Sequence, residues 1–231
     1  NKRAVEEKEM GPLIKTQMTR CIHCTRCVRF AEDIAGVPEL GAVGRGEHTE
    51  ITTDGKTFSS ELSGNVIDLC PVGALTSRPY AFVARPWELK KTESIDVLDA
   101  MGSNIRIDVR GNKVLRILPR LHEEINEEWL GDKSRYACDG LQYQRLDKPY
   151  IRKGGKLQQS SWDEALLVVS EKMNAAGADK IAAIAGDLVS VEAMMALKNL
   201  FDNLGAKNYD CRQDGAEISN ESRAHYLFNS T

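Results

Sequence analysis

The chain of 231 residues has no apolar run approaching the ~20 residues needed to cross a bilayer, so membrane association would have to come through partners. It has no excess of basic charge either: the formal net charge is −3, and no broad basic surface advertises nucleic acid. Its six cysteines form no disulfide-like framework, which points to a reducing compartment. No residues read as an acid–base pair, an activated nucleophile or a substrate pocket. Residues 1–10 have neither an apolar signal core nor the acid-poor make-up of a transit peptide, and Asn1 is not an initiator methionine. Residues 226–231 read as stopping mid-fold, so the expectation is an internal segment of a larger protein or one piece of a split one. What is present, 42% hydrophobic and 28% charged residues, describes a globular protein able to bury a core, as one large domain or two small ones.

Four of the cysteines organise the rest. Cys21, Cys24 and Cys27 stand at Cys-x2-Cys-x2-Cys spacing, and Cys70 follows far along the chain in Asp68-Leu69-Cys70-Pro71. Three closely spaced thiolates wrap one corner of an iron–sulfur cube while backbone amides turn inward, and a remote Cys-Pro closes the fourth iron. The near fourth position, four residues after Cys27, is Ala31, so the ligands suffice for one 4Fe-4S cluster and not two. Zinc sites pair two short Cys-x2–4-Cys units, which three cysteines plus a lone Cys-Pro match poorly. Disulfides match less well, because Cys-x2-Cys crowding outside a small secreted scaffold reads as a metal or redox site. Arg20, Arg26 and Arg29 flank these ligands; close by they would favour the reduced cluster, and they read equally well as surface residues. His23, between two ligands, is expected not to bind iron, since the set of four cysteines is complete without it.

Along the chain, residues 1–8 are charged and expected at the surface, and Gly11-Pro12 breaks the chain before the cysteine loop. Residues 28–35 read as a short helix stopped by Gly36, with Phe30 and Ile34 on one face, shielding the cluster or simply packing in the core. The glycine-rich residues 41–46 lack strand–loop–helix context and meet Glu47 and Glu50 at once, so they read as a turn rather than a phosphate loop. Residues 49–58, around Asp54-Gly55, read as a hairpin, residues 71–75 as a short helical turn, and residues 78–87 as a linker. Ile105, Ile107 and Val109 alternate with Arg106, Asp108 and Arg110 before Gly111-Asn112, which predicts a hairpin into residues 114–118. Further strands or loops are expected around Gly154-Gly155. Ser161-Trp162-Asp163-Glu164 predicts a capping box, with Leu166, Val169 and Met173 as the buried stripe of the helix it starts. A buried-type strand over 181–184 then leads to a helix capped by Ser190, with Met194, Leu197, Phe201 and Leu204 inward and Gly205 as its stop: one unfinished βα unit. Met194 and Met195 read as core filler.

Several long motifs carry a resemblance. Met18-Thr19-Arg20-Cys21, Cys27-Val28-Arg29-Phe30, Gly44-Arg45-Gly46, Glu61-Leu62-Ser63-Gly64-Asn65 and Asp68-Leu69-Cys70-Pro71-Val72-Gly73-Ala74-Leu75-Thr76-Ser77 are similar to the large iron–sulfur subunit of respiratory complex I. So are Arg85-Pro86-Trp87-Glu88, Lys91-Thr92-Glu93-Ser94-Ile95-Asp96 and Ile125-Asn126-Glu127-Glu128-Trp129. The similarity is densest over residues 11–135 and thins after about residue 150. It implies an α+β chain in three parts: a ferredoxin-like iron–sulfur domain in residues 1–87, a β-rich region in 88–148, and in 149–231 the start of an α/β domain resembling molybdopterin oxidoreductases.

Some members of that family carry an extra cubane at the start of the second part, on Cys-x2-Cys-x3-Cys and a distant cysteine. In this register the chain has Asp96, Asp99, Ser103 and, at the distant position, Gly131, which cannot supply those thiolates. Cys138 and Cys211 read as lone thiols. The expectation is therefore one 4Fe-4S cluster on Cys21, Cys24, Cys27 and Cys70, no molybdopterin, and a second part that serves as scaffold. The family's ligands for a 2Fe-2S centre and a His/Cys3 cubane are not among these residues. The resemblance implies an electron relay from NADH and flavin toward ubiquinone, as one subunit of a proton-translocating NADH dehydrogenase. The implied partners are the flavin- and NADH-binding subunit and downstream iron–sulfur subunits. The implied place is the matrix side of the mitochondrial inner membrane, since loss of the extra cubane resembles mitochondrial members, with the cytoplasmic face of a bacterial inner membrane as the alternative. A fragment of a soluble formate dehydrogenase or iron hydrogenase, and a zinc-stabilised interaction module, are the competing readings.

Overall fold

Glycine and proline cut the first part of the chain into strands too short to stand alone. The structure, a computed structural model describing residues 3–55, 57–186 and 188–210, pairs them into small sheets. These residues divide after Gln142 into two units.

In the first unit, β1 (Ile14–Thr16), β2 (Leu40–Val43), β3 (Glu50–Thr53) and β4 (Leu75–Ser77) form two antiparallel pairs, β1 with β4 and β2 with β3. Helix α1 (Arg26–Arg29) and helix α2 (Asn65–Leu69) pack with them around Met10, Ile14, Met18, Phe30, Ile51 and Val66. Helix α1 runs on into a π-helical turn over Phe30–Ile34, which overturns the expected pairing of Phe30 with Ile34. In a π turn residue i+5, not i+4, follows residue i. The Ala35 amide donates to the Phe30 carbonyl (2.9 Å), Ala35 is buried, and Ile34 turns outward, 44% exposed. Phe30 packs instead against Trp129, ring centroids 4.9 Å apart.

The hairpin expected around Asp54-Gly55 also lies elsewhere. Strand β3 pairs back with β2, so the reversal falls at residues 44–49, where Gly44 and Gly46 take φ of +78° and +59°. Residues 71–74 form a non-helical turn, and Leu75 opens β4.

Strands β5 (Lys90–Ile95), β6 (Asn104–Arg110) and β7 (Lys113–Pro119) make an antiparallel sheet in that order. The β6–β7 hairpin turns at Gly111-Asn112 as the alternation predicts. Strand β5 is an exposed edge whose polar residues lack that alternation. On the face read as polar, however, Asp108 is fully buried. Its carboxylate accepts from Arg106 Nε (3.0 Å) and Arg116 Nε (2.7 Å), and two charged donors make such burial tolerable.

Helix α3 (Asp132–Tyr136) ties this region to α2. Ser63 Oγ and the Gly64 amide donate to the two Asp132 carboxylate oxygens (2.5 and 2.7 Å), while the Asp132 amide donates to the Glu61 carbonyl (2.7 Å). Asn65, almost wholly buried, uses its full capacity. Its Nδ2 donates to the Leu62 and Leu130 carbonyls, and its Oδ1 accepts from the Leu130 amide and an Arg135 Nη.

In the second unit β8 (Tyr150–Lys153) and β9 (Lys156–Gln159) form a hairpin whose Gly154 and Gly155 both take positive φ, as a type I′ turn needs. Ser161 Oγ accepts from the Glu164 amide (3.2 Å) to start α4 (Trp162–Ala176). The box is half formed, because the Glu164 carboxylate accepts from Ser160 Oγ and Lys153 Nζ instead. The expected buried stripe of α4 is not buried: Leu166 and Val169 are exposed and Met173 half-buried. Periodicity marks a face that needs cover, and the described residues do not supply it. Strand β10 (Ala182–Ile184), helix α5 (Val191–Leu204) and strand β11 (Asn208–Asp210) form a parallel βαβ unit, so the βα unit read as unfinished gains its second strand. Contrary to a buried-type strand, Ile184 is 64% exposed. Helix α5 matches expectation: Ser190 caps it, Phe201 is buried, Met194, Leu197 and Leu204 are half-buried, and Gly205 ends it in the left-handed region. Met195 is exposed rather than core filler. Cys211 and residues 226–231 lie outside the described residues.

Two measurements check this packing. Asp108→Ala leaves two partly exposed guanidiniums without their acceptor, an expected cost of about 1–3 kcal/mol read as a lower urea midpoint at unchanged slope. Asp132 carries a pH signature: burial, opposed by the Ser63 and Gly64 hydrogen bonds and by Arg135, pushes its carboxyl up from 3.8 to about 6. The folded chain therefore holds this proton more tightly than the unfolded one. The stability this confers is complete below the unfolded value and is lost as pH rises toward 6, about 2–3 kcal/mol in all. Asp132→Asn removes that slope, so the stability of the variant relative to the native chain rises by this amount between pH 3.5 and pH 7 in urea unfolding; a flat difference would contradict the assignment.

Candidate metal centre

The three clustered cysteines lie on a loop bent by its own backbone. A 3-10 turn at Met18–Arg20 leads into Cys21, and His23 and Thr25 then take left-handed conformations, φ +56° and +58°. Such conformations are uncommon for residues other than glycine, and they bend the loop sharply between Cys21 and Cys27. The His23 amide donates to Cys21 Sγ (3.4 Å), and Cys27 sits in the first turn of α1. Cys70 ends α2, its amide donating to the Val66 carbonyl (3.1 Å). The Leu75 amide, returning through the turn after Pro71, donates to Cys70 Sγ (3.4 Å).

All four thiols are free, half-buried, and border one cavity whose wall includes Met18, Ile51, Val72 and Leu75. Burial, then Cys21, with smaller contributions from Cys24 and Cys70, pushes the Cys27 thiol up to about 11. Thiolates so placed repel one another, and bound cations would offset that repulsion. Among the described residues no three His, Cys, Asp or Glu side chains stand close enough to hold a single metal ion. Soft donors around an apolar cavity, with amides aimed at two of the sulfurs, suit an iron–sulfur cluster. Ala31 is fully buried in the core.

The flanking groups stand further out. Arg26 borders the cavity, Arg20 lies against Gly73 in the turn after Cys70, and Arg29 and the His23 side chain are exposed.

The second place the sequence singled out, the loop between β5 and β6, is built differently. Asp99 Oδ1 accepts from the amides of Met101, Gly102 and Ser103, and its Oδ2 accepts from the Ser103 hydroxyl. Asp96 accepts from the Leu98 amide and the Ser134 hydroxyl. Burial, with the charge of Asp99 adding, pushes the Asp96 carboxyl up from its usual range. Gly131, expected in the fourth place, is the buried N-cap of α3, and Ser134, one turn on, is the residue whose side chain joins the group. Four oxygen side chains bonded to one another and to backbone do not fit a cubane.

Sequence reasoning missed Asn65, Asp132 and Arg135, which join α3 to the start of α2 without bordering the cavity. Periodicity holds no sign of them. The available signal was the Ser63-Gly64-Asn65 run, where a small residue beside an amide marks close approach.

Three stretches match known families: residues 11–76 the ferredoxin-like domain of NADH-quinone oxidoreductase subunit 3, residues 89–139 the NADH-ubiquinone oxidoreductase NDSU1/NuoG-like 4Fe-4S domain, and residues 145–231 molybdopterin oxidoreductase. The span matching the 4Fe-4S domain holds one cysteine, Cys138. The NADH-quinone oxidoreductase subunit called G in Rickettsia felis is 62% identical over all of this chain and 35% of its own length. The mitochondrial NADH-ubiquinone oxidoreductase 78 kDa subunit of Neurospora crassa is 58% identical over all of this chain and 32% of its own. The 75 kDa subunit of Reclinomonas americana is 58% identical over 89% of this chain and 30% of its own. The chain spans about a third of the length of these relatives. With the cysteine loop, the remote Cys-Pro and the three matched stretches in one order, the chain belongs to the family of the NADH-quinone oxidoreductase subunit called G in bacteria and the 75 or 78 kDa subunit in its other members.

Proposed function

We propose that the chain holds one 4Fe-4S cluster on Cys21, Cys24, Cys27 and Cys70 and serves as an electron relay within an NADH–quinone oxidoreductase. One observation carries the reading: three thiols from a seven-residue loop and a fourth from the end of α2 border the same cavity. When bound, such a cluster takes up and gives back single electrons, at a potential set by burial, hydrogen bonds to sulfur and nearby charge. The chain supplies each of these levers. Met18, Ile51 and Leu75 limit water at the cavity, the His23 and Leu75 amides donate to sulfur, and Arg26 brings positive charge to its edge.

The division into residues 1–87, 88–148 and 149–231 belongs to the same proposal. The first part carries the ligands; the second and third serve as scaffold, without a cluster on Asp96, Asp99, Ser103 or Ser134 and without pterin chemistry. The partners proposed are the flavin- and NADH-binding subunit, as electron source, and further iron–sulfur subunits leading toward quinone. Bacterial and mitochondrial subunits are both close relatives, and among the described residues no helix is long and apolar enough to cross a membrane. We place the chain on the matrix side of the mitochondrial inner membrane, or on the equivalent cytoplasmic face in a bacterium.

Anaerobic purification followed by iron and acid-labile sulfide analysis should give about four of each per chain, with a low-temperature EPR signal after dithionite reduction. Cys70→Ala and Cys24→Ala abolish that signal, whereas Cys138→Ala leaves it intact. Stoichiometric zinc without an EPR signal would overturn the proposal, and a second cubane in this chain would overturn the account of Asp96–Ser134 as a metal-free group.

A further inference from the structure

The four thiols reach their cavity by unequal means. Cys21, Cys24 and Cys27 constrain one another within seven residues, but Cys70 stands alone at the end of a helix of five. A helix so short is not stable by itself and takes its position from what it packs against. Here that support comes from residues 130–135, which lie beyond the whole three-stranded sheet in sequence.

The contact is close and polar. A methyl group on Gly64 would stand 2.7 Å from Asp132 Oδ1 and 2.9 Å from Arg135 Cδ, so the two segments meet with no room for a side chain. Asp132 takes the Ser63 hydroxyl and the Gly64 amide just before α2 begins. Arg135, its side chain 5% exposed, reaches Asp68 Oδ2 (2.8 Å) and Asn65 Oδ1 (3.0 Å), two residues three apart on one face of α2. Asp68 is two residues before Cys70. The start and the flank of the helix are thus both held from α3, while Ser134 of α3 is itself bonded to Asp96.

We infer that α3 is a clamp on the ligand-bearing helix: Asp132 holds its start, Arg135 its flank, and together they set where the Cys70 sulfur stands relative to the other three. The inference rests on Cys70 being a cluster ligand, as proposed above. Asp132 and Arg135 are positioning residues, since neither borders the cavity. The metal-free second region thereby governs the geometry of a cluster held by the first.

The test uses the intact protein isolated with its natural partners, reading the reduced EPR spectrum and the rate at which a chelator removes iron. Cys70→Ala identifies the signal concerned. Arg135→Met should shift or broaden that signal and speed iron release roughly tenfold or more, because it strands Asp68 and Asn65 beside a buried gap. Arg135→Lys, which keeps the charge, should restore most of the native behaviour. Gly64→Ala, which keeps every charge but pushes α3 away, should act like Arg135→Met and carries the same expectation if that variant fails to accumulate. Arg106→Met breaks an ion pair to the buried Asp108 outside the pocket that Asp68 and Arg135 line, and should leave the spectrum and release rate native. If Arg135→Met and Gly64→Ala leave both readouts native, or Arg106→Met disturbs them equally, α3 contributes only stability and the inference fails while the ligand assignment stands. If Cys70→Ala keeps the signal, the ligand assignment itself fails and takes the inference with it.

Discussion

Thiolates repel, and the first unit is arranged to hold four of them around one cavity against that repulsion. At Cys27 burial, and after it the neighbouring sulfurs, push the thiol up to about 11. Short-range geometry handles three of the four. The left-handed backbone at His23 and Thr25 folds Cys21, Cys24 and Cys27 inward over a handful of residues, at the conformational cost that such non-glycine positions carry. That strain persists because the surroundings over-determine it: Met18 and Phe30, on either side of the loop, are both anchored in the main core.

The fourth sulfur is a tertiary problem. Cys70 depends on α2, and α2 is held by a joint whose hydrogen bonds use both Arg135 Nη atoms but leave its buried Nε without a partner. Asn65 makes four hydrogen bonds, Asp132 takes a hydroxyl and an amide, and Arg135 divides its fork between Asp68 and Asn65. A buried network of this kind is rigid when complete and costly when one member is lost, because each orphaned partner keeps its desolvation penalty. The site's precision therefore resides in residues more than sixty positions away from the helix they hold.

How much of this the sequence disclosed follows from the range of each interaction. The cysteine loop, the Gly111-Asn112 hairpin and the caps at Ser161 and Ser190 are local, and spacing or turn chemistry reveals them directly. The reversal at residues 44–49 was misplaced because two glycine-containing turns bracket β3, and only pairing with β2 decides between them. Ile34 failed for a subtler reason: a single π turn shifts the register, and an i, i+4 pattern does not reveal that an extra residue has entered the spiral. The apolar periodicity of α4 was real but says nothing about whether a covering surface is at hand. Asp108 illustrates the reverse case, a charge in a polar register whose burial depends on two arginines, one of them from the neighbouring strand.

The loop between β5 and β6 lies in the stretch that matches the NDSU1/NuoG-like 4Fe-4S domain, and hydrogen bonds hold it together. A metal site staples distant segments by satisfying several side chains at one point. Here Asp99 collects three successive amides and the Ser103 hydroxyl, closing the loop on itself, and Asp96 reaches across to Ser134. Carboxylates bonded to amides and hydroxyls can be buried without a counter-ion when those donors are numerous enough, and burial still lifts the Asp96 carboxyl from its usual range. Ser134 lies on the same helix as Asp132 and Arg135, so one short helix is pinned to this loop on one side and to the Cys70 helix on the other. Hydrogen bonds thus join this loop to α3, and α3 in turn to the helix that carries Cys70.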